Sequence, residues 1–82
     1  MELNLSTRSL VAGNVRAELA RYHMTHKEIA DYLNISLPTL RRKINGSTDF
    51  TVTEIASIAS LLGIPTVTLL QKHNAVQQLE VA

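Results

Sequence analysis

The sequence predicts an all-α fold, a compact bundle of about five helices forming one domain over residues 1–82, and three observations carry that expectation. Apolar residues recur at three- and four-residue spacing through most of the chain. Two Thr-x-x-Glu boxes, Thr25 with Glu28 and Thr51 with Glu54, stand just before apolar-periodic runs. There a hydroxyl and a carboxylate can satisfy backbone donors that a helix N-terminus leaves unpaired. Asn34, Gly46 and Gly63 then follow such runs, at positions where a left-handed residue ends a helix. A hydrophobic fraction of 45% over 82 residues fills one small core and not two.

The first helix is expected from Ser6 or Thr7 to Tyr22, with Leu10, Val15, Leu19 and Tyr22 on its inward stripe. Gly13 is the anomaly, because glycine in a helix interior costs about 1 kcal/mol relative to alanine. It marks either a close helix crossing or a late helix start. Ahead of this helix, Leu3 and Leu5 alternate with Glu2, Asn4 and Ser6 at the period of a strand. Residues 1–6 are too few to make one and read as an arm, with a crossing to a partner subunit as the other reading.

Thr25 caps the second helix, and Met24 and Ile29 sit where a hydrophobic staple packs. Ile29, Ala30 and Leu33 form its apolar stripe. The small Ala30 lets a second helix cross close by. Asn34 tolerates the left-handed turn, Ile35 plugs that turn into the core, and Ser36 caps the third helix. Pro38 lies in the first turn of the third helix, where a missing backbone donor costs nothing. This helix runs from about Leu37 to Asn45 and closes on Gly46. Leu40 and Ile44 point inward; Pro38, Arg41, Arg42 and Asn45 point outward, with Thr39 and Lys43 at the margins.

After a polar loop, Thr51 with Glu54 caps a fourth helix, onto which Phe50 can staple at Ile55. Val52, Ile55, Ile58, Ala59 and Leu62 are its expected buried residues, and Gly63 ends it. Thr66 is the expected cap of a fifth helix over residues 66–80. Leu69, Val76 and Leu79 fall on one side of that helix and Val67, Leu70 and Val81 on another. Two readings stay open: a frayed or bent end, and a dimerisation helix.

The net charge is only +1, but its placement is uneven. Arg21, Lys27, Arg41, Arg42 and Lys43 outnumber Glu28 and Asp31 within residues 21–48, which gives +3 there, against zero before and −2 after. A run of cations on a helix is ordinarily a solvated surface. Here the run sits on the outer face of a helix buttressed by a capped partner. Arginine can bond bidentately to guanine in the major groove, and neighbouring cations can hold phosphates.

Other chemistries find few candidates. There is no cysteine, so disulfides and thiolate nucleophiles are excluded. His23, His26 and His73 do not have the spacing of a metal site, since catalytic zinc normally takes three protein ligands. No phosphate-cradling glycine loop and no nucleophile motif is present. The chain is therefore read as a non-enzyme without metal, cofactor or small-molecule ligand. No apolar run approaches the roughly 20 residues that span a bilayer, and a cytoplasmic location is expected.

The segment from Thr25 to Gly46 resembles the helix-turn-helix of the Cro/CI repressor family, also called the XRE family. That family's pattern is Thr/Ser-Gln-x-x-apolar-Ala-x-x-apolar-Gly-apolar-Ser, followed by a recognition helix and a closing Gly. Thr25, Ile29, Ala30, Leu33, Ile35, Ser36, Leu40, Ile44 and Gly46 stand at the matching positions, and the likeness extends from about Asn14 to Leu70. His26 replaces the usual glutamine and Asn34 the turn glycine. The resemblance implies a lambda-repressor-like domain that binds double-stranded DNA. It further implies a phage-type repressor or Cro that occludes a palindromic operator as a homodimer, in a bacterial or phage-infected cell. Arg41 and Arg42 would then contact bases or phosphates, Leu37, Pro38 and Thr39 the groove at the helix N-terminus, and Lys43 and Asn45 the DNA backbone. Thr25, His26 and Lys27 would approach phosphates from the preceding helix. The competing class is an antitoxin or other protein-interaction module on the same scaffold.

Overall fold

A computed structural model describes residues 7–72. The expected arm over residues 1–6 and the expected helix beyond Lys72, with His73, Val76, Leu79 and Val81, lie outside the described residues. Between them run α1 (Thr7–Arg21), α2 (His26–Leu33), α3 (Leu37–Ile44), α4 (Val52–Leu62) and α5 (Val67–Leu70), with no strand among the described residues. The all-α architecture is thus as the periodicity predicts.

One hydrophobic core joins them. Val11, Val15 and Leu19 of α1 meet Ile29 and Ala30 of α2, Leu40 and Ile44 of α3, Ile55, Ile58 and Ala59 of α4, and Leu69 of α5. Phe50 closes the core from the loop before α4. Helices this short are marginal alone, so burial of these stripes holds them.

The two Thr-x-x-Glu caps form as read. Thr25 Oγ1 accepts from the Glu28 backbone N–H at 3.0 Å, while Glu28 Oε1 accepts from the Thr25 N–H at 2.8 Å. Thr51 and Glu54 repeat both bonds, at 3.0 and 2.8 Å.

The C-terminal ends share one device. His23, Asn34, Gly46 and Gly63 all have positive φ. At each, the following N–H reaches back to the carbonyl five residues earlier: Met24 to Leu19, Ile35 to Ala30, Ser47 to Arg42 and Ile64 to Ala59. Met24, Ile35 and Ile64 then pack against the core, so these turns also deliver an apolar side chain. The left-handed turn at His23 was not expected from the sequence.

Several expectations need correction. The buried face of α1 is Val11, Ala12, Asn14, Val15, Glu18 and Leu19, while Leu10 is half-buried and Tyr22 lies exposed beyond the helix end. The face is rotated by one position because α5 packs on α1 and covers Asn14, whose side chain donates to the Leu69 and Gln71 carbonyls at 2.9 and 2.8 Å. Gly13 marks neither a late start nor a tight crossing. The helix begins six residues earlier at Thr7, and a β-carbon at Gly13 would meet only the Arg16 guanidinium, at 3.6 Å.

Val52 is not buried: as the first residue of α4 it precedes the inward stripe and is 81% exposed. Thr66 makes no side-chain cap bond, because its own backbone is already helical, with φ −56° and ψ −35°. A capping hydroxyl needs the extended conformation that Thr25, Ser36 and Thr51 adopt. Finally, α5 stops at Leu70, where Gln71 turns extended with ψ 153°, so no helix continues from 66 through 72.

Candidate nucleic-acid interface

The α2–α3 pair is fixed from both ends. Ser36 Oγ accepts from the Thr39 N–H at 3.2 Å, and Pro38 occupies the first turn of α3. At the other end, Ser47 and Gly46 N–H groups take up the Arg42 and Lys43 carbonyls, and Arg16 Nη1 donates to the Ile44 carbonyl at 2.6 Å. Leu40 and Ile44 are buried, so only one side of the helix faces out.

That side brings together Pro38, Arg41, Arg42 and Asn45, all exposed, with Thr39 half-buried beside them. Arg41 has no side-chain partner among the described residues. Arg42 Nη2 reaches Thr39 Oγ1 at 3.4 Å, and that hydroxyl accepts from Ser36 Oγ at 2.8 Å, so Arg42 leans along the helix toward its N-terminus. Asn45 is exposed but partly committed: its Oδ1 accepts from the Ser47 N–H and hydroxyl at 3.1 and 2.8 Å. Leu37 is half-buried against the core and offers little outward surface.

On α2, His26 is exposed at the first helical position. Lys27 is exposed too and pairs with Asp31 at 3.1 Å, a loose pair that an anion could displace. The Thr25 hydroxyl is occupied by its capping duty. Glu28 is held below the usual carboxylate range by the Thr25 backbone N–H and then by the Thr25 hydroxyl.

Lys43 stands apart from the outer group. Its ammonium lies 3.1 Å from Glu54 Oε1, with the two side chains only 12% and 15% exposed. It also donates to the Asp49 carbonyl at 2.9 Å and sits 6.0 Å from the centre of the Phe50 ring. Asp49 in turn bonds Arg8 at 2.9 Å, which pulls the carboxyl below its ordinary range and raises the guanidinium. The third cation of the run therefore braces the loop between α3 and α4.

Two contributors escaped the sequence reading. Arg16 on α1 caps the end of α3, and Glu54 both caps α4 and holds Lys43. Neither contact is local, and only the second half of the Thr51–Glu54 box hinted at Glu54. Among the described residues, no three His, Asp or Glu side chains gather in a metal-holding group. No described helix is long and apolar enough to cross a membrane.

Two capped helices joined by the Asn34 turn, with one buried and one cationic side on the second, define a helix-turn-helix domain. Residues 6–80 match the BetR domain, and the chain belongs to that helix-turn-helix family. No curated protein matches the chain in sequence.

Solved structures share the fold. The clp gene regulator ClgR from Corynebacterium glutamicum is 19% identical with a TM-score of 0.79, covering 96% of this chain and 84% of that one. The DNA-binding domain of BldD is 15% identical with a TM-score of 0.68, covering 84% of this chain and 100% of that one. Hydroxypropylphosphonic acid epoxidase from S. wedmorenis is 25% identical with a TM-score of 0.69, but the match covers 82% of this chain and only 36% of that enzyme. The chain spans about a third of the epoxidase, so the fold serves there as one part of a larger protein.

Proposed function

We propose that this protein is a sequence-specific double-stranded DNA-binding transcription regulator that lays α3 in the major groove. The observation that carries the reading is the exposed side of α3, where Arg41 and Arg42 project from a helix whose opposite side is buried and whose two ends are capped. A rigid helix presenting two arginines matches the donor pattern that guanine O6 and N7 accept. His26 and Lys27 at the start of α2 approach the flanking phosphates, as the first helix of such a pair does. Lys43 has no part in the contact.

The shared fold of the BldD DNA-binding domain and of the clp gene regulator ClgR supports the same class. The finer reading is a repressor or Cro of the Cro/CI type, acting in the cytoplasm as a homodimer that occludes a palindromic operator, with no catalytic activity and no cofactor. The small net charge favours paired action, because each copy neutralises few phosphates. One observation favours the antitoxin-like alternative: Val67 and Leu70 of α5 are 56% and 44% exposed, an apolar surface suited to a protein partner.

Selection of bound sequences from random duplexes tests the reading. An enriched palindrome supports a dimeric operator binder and reports half-site spacing directly. Failure to enrich any sequence, with unchanged binding by Arg41→Ala and Arg42→Ala, would overturn it.

A further inference from the structure

α3 is eight residues long, and both arginines that project from it lie in its last turn. A helix leaves its final carbonyls without partners inside the helix. Past α3 the loop supplies donors for three of them. The Asn45 N–H bonds the Arg41 carbonyl, the Ser47 and Thr48 N–H groups share the Arg42 carbonyl, and the Gly46 N–H bonds the Lys43 carbonyl.

The next carbonyl, on Ile44, receives no backbone donor among the described residues. Arg16 Nη1 takes it at 2.6 Å, from a different helix and 28 positions away. A guanidinium at this end is favourable twice over, as a charge-assisted donor and as a cation at the negative pole of the helix. α1 also passes the same end at Gly46, where a β-carbon would lie 3.8 Å from Ser9 Oγ.

We propose that Arg16 is a positioning residue for sequence reading: by holding the Ile44 carbonyl it fixes the last turn of α3, and with it the directions in which Arg41 and Arg42 leave the helix. The inference rests on the DNA-binding reading above. Base edges are read through bonds whose partners must be held within about 0.5 Å and 10–20°. Phosphates carry no sequence information and accept a cation as a point charge. A loosened last turn therefore costs recognition of the preferred sequence while sparing the general attraction to DNA.

Arg16→Met removes the donor and keeps an apolar stem. It keeps the fold, because Arg16 is exposed and the buried side of α1 is untouched. Asn14→Leu is the control for a purely structural effect, since Asn14 on the same helix is bonded to the α5 end and not to α3. Each variant and the parent protein are titrated, fully folded, with a duplex recovered by selection and with a scrambled one, at several salt concentrations. Arg16→Met should weaken the preferred duplex by at least about fivefold, comparable to one mismatched base pair. Binding to the scrambled duplex and the salt slope should stay as in the parent. Arg16→Lys, which keeps a charged donor, should recover the preference, and Asn14→Leu should never lose it. Without DNA, amide exchange at Asn45 and Ser47 should quicken in Arg16→Met.

Equal loss of preference in Arg16→Met and Asn14→Leu would reduce Arg16 to general support of the fold. A salt slope lowered by about one would make it a phosphate contact. Either result overturns the proposal, as does unchanged exchange at Asn45 and Ser47. Full preference retained by Arg16→Met overturns the proposal alone, whereas a parent protein that prefers no duplex overturns the DNA-binding reading and the proposal with it.

Discussion

Lys43 and Glu54 face each other at 3.1 Å, and through that pair the last cation of α3 fastens the helix to the N-terminal turn of α4 instead of pointing outward. Lys43→Met leaves the Glu54 carboxylate short of a partner in a mostly buried position, a loss of about 1–3 kcal/mol of stability. Denaturant unfolding measures it. DNA affinity should fall only as far as the loop loosens, with the salt slope unchanged. A slope reduced by about one, the signature of a lost phosphate contact, would show that Lys43 leaves Glu54 when DNA binds.

Arg42 is steered by Thr39 and Arg41 has no side-chain partner among the described residues, so the two arginines should not behave alike. Arg42→Ala should cost about 1–3 kcal/mol on the preferred duplex and relax the preference at one base pair. If Arg41 serves a phosphate, Arg41→Ala weakens all duplexes alike and lowers the salt slope by about one. Titrations of matched and scrambled duplexes at several salt concentrations separate the two outcomes. Equal behaviour of both variants on both duplexes would contradict the orientation of α3.

What could be read ahead of the structure was mostly local. Thr25, Ser36 and Thr51 announce helix starts because their partners lie three residues away, and Leu40 and Ile44 declare the buried side of α3 by spacing alone. Thr66 and Val52 are misread for local reasons, whereas the contacts that the sequence did not disclose depend on distant partners. Asn14 is buried only because α5 crosses α1, Arg16 acts on α3 from another helix, and Lys43 turns inward because Glu54 and the Asp49 carbonyl await it. A charge run cannot tell which of its members is already paired.

His23 shows how a local signal can also mislead. It takes φ 58°, a left-handed turn that the sequence marks with neither glycine nor asparagine. A β-carbon there costs roughly 1–2 kcal/mol, part of which is offset because glycine loses more backbone freedom on folding. His23→Gly should therefore raise stability by up to about 1 kcal/mol, once that entropy is set against the strain. Chemical denaturation of the two proteins checks it, and His23→Val should move the midpoint in the opposite direction.

Glu28 gives the fold an acid-sensitive joint. Its folded carboxyl titrates below its ordinary value, chiefly because the ionised form accepts the Thr25 backbone N–H. The resulting stabilisation is fully present above the unfolded carboxylate range, and it is lost as pH falls through the lower folded value. Glu28→Gln should flatten the acid side of the melting-temperature profile while leaving most of the cap intact near neutrality. An unchanged acid limb would mean that other carboxylates, with Asp49 and its Arg8 partner foremost, carry the dependence.

Asn14 ties α5 to α1, because its one amide nitrogen serves the carbonyls of both Leu69 and Gln71. Asn14→Leu preserves bulk but removes the donor. Leaving a buried carbonyl unsatisfied costs about 1–3 kcal/mol. The damage should be local: α5 is held by few backbone bonds of its own, among them the Gln71 N–H to the Val67 carbonyl. Amide exchange at Leu69 and Gln71 should accelerate, while Leu40 and Ile44 on α3 remain protected and DNA affinity changes little. Asn14→Asp should be worse than Asn14→Leu, since it sets a carboxylate against two carbonyl oxygens in a buried site. If both variants exchange like the parent protein, the packing of Leu69 in the core suffices to hold α5 and the amide is dispensable.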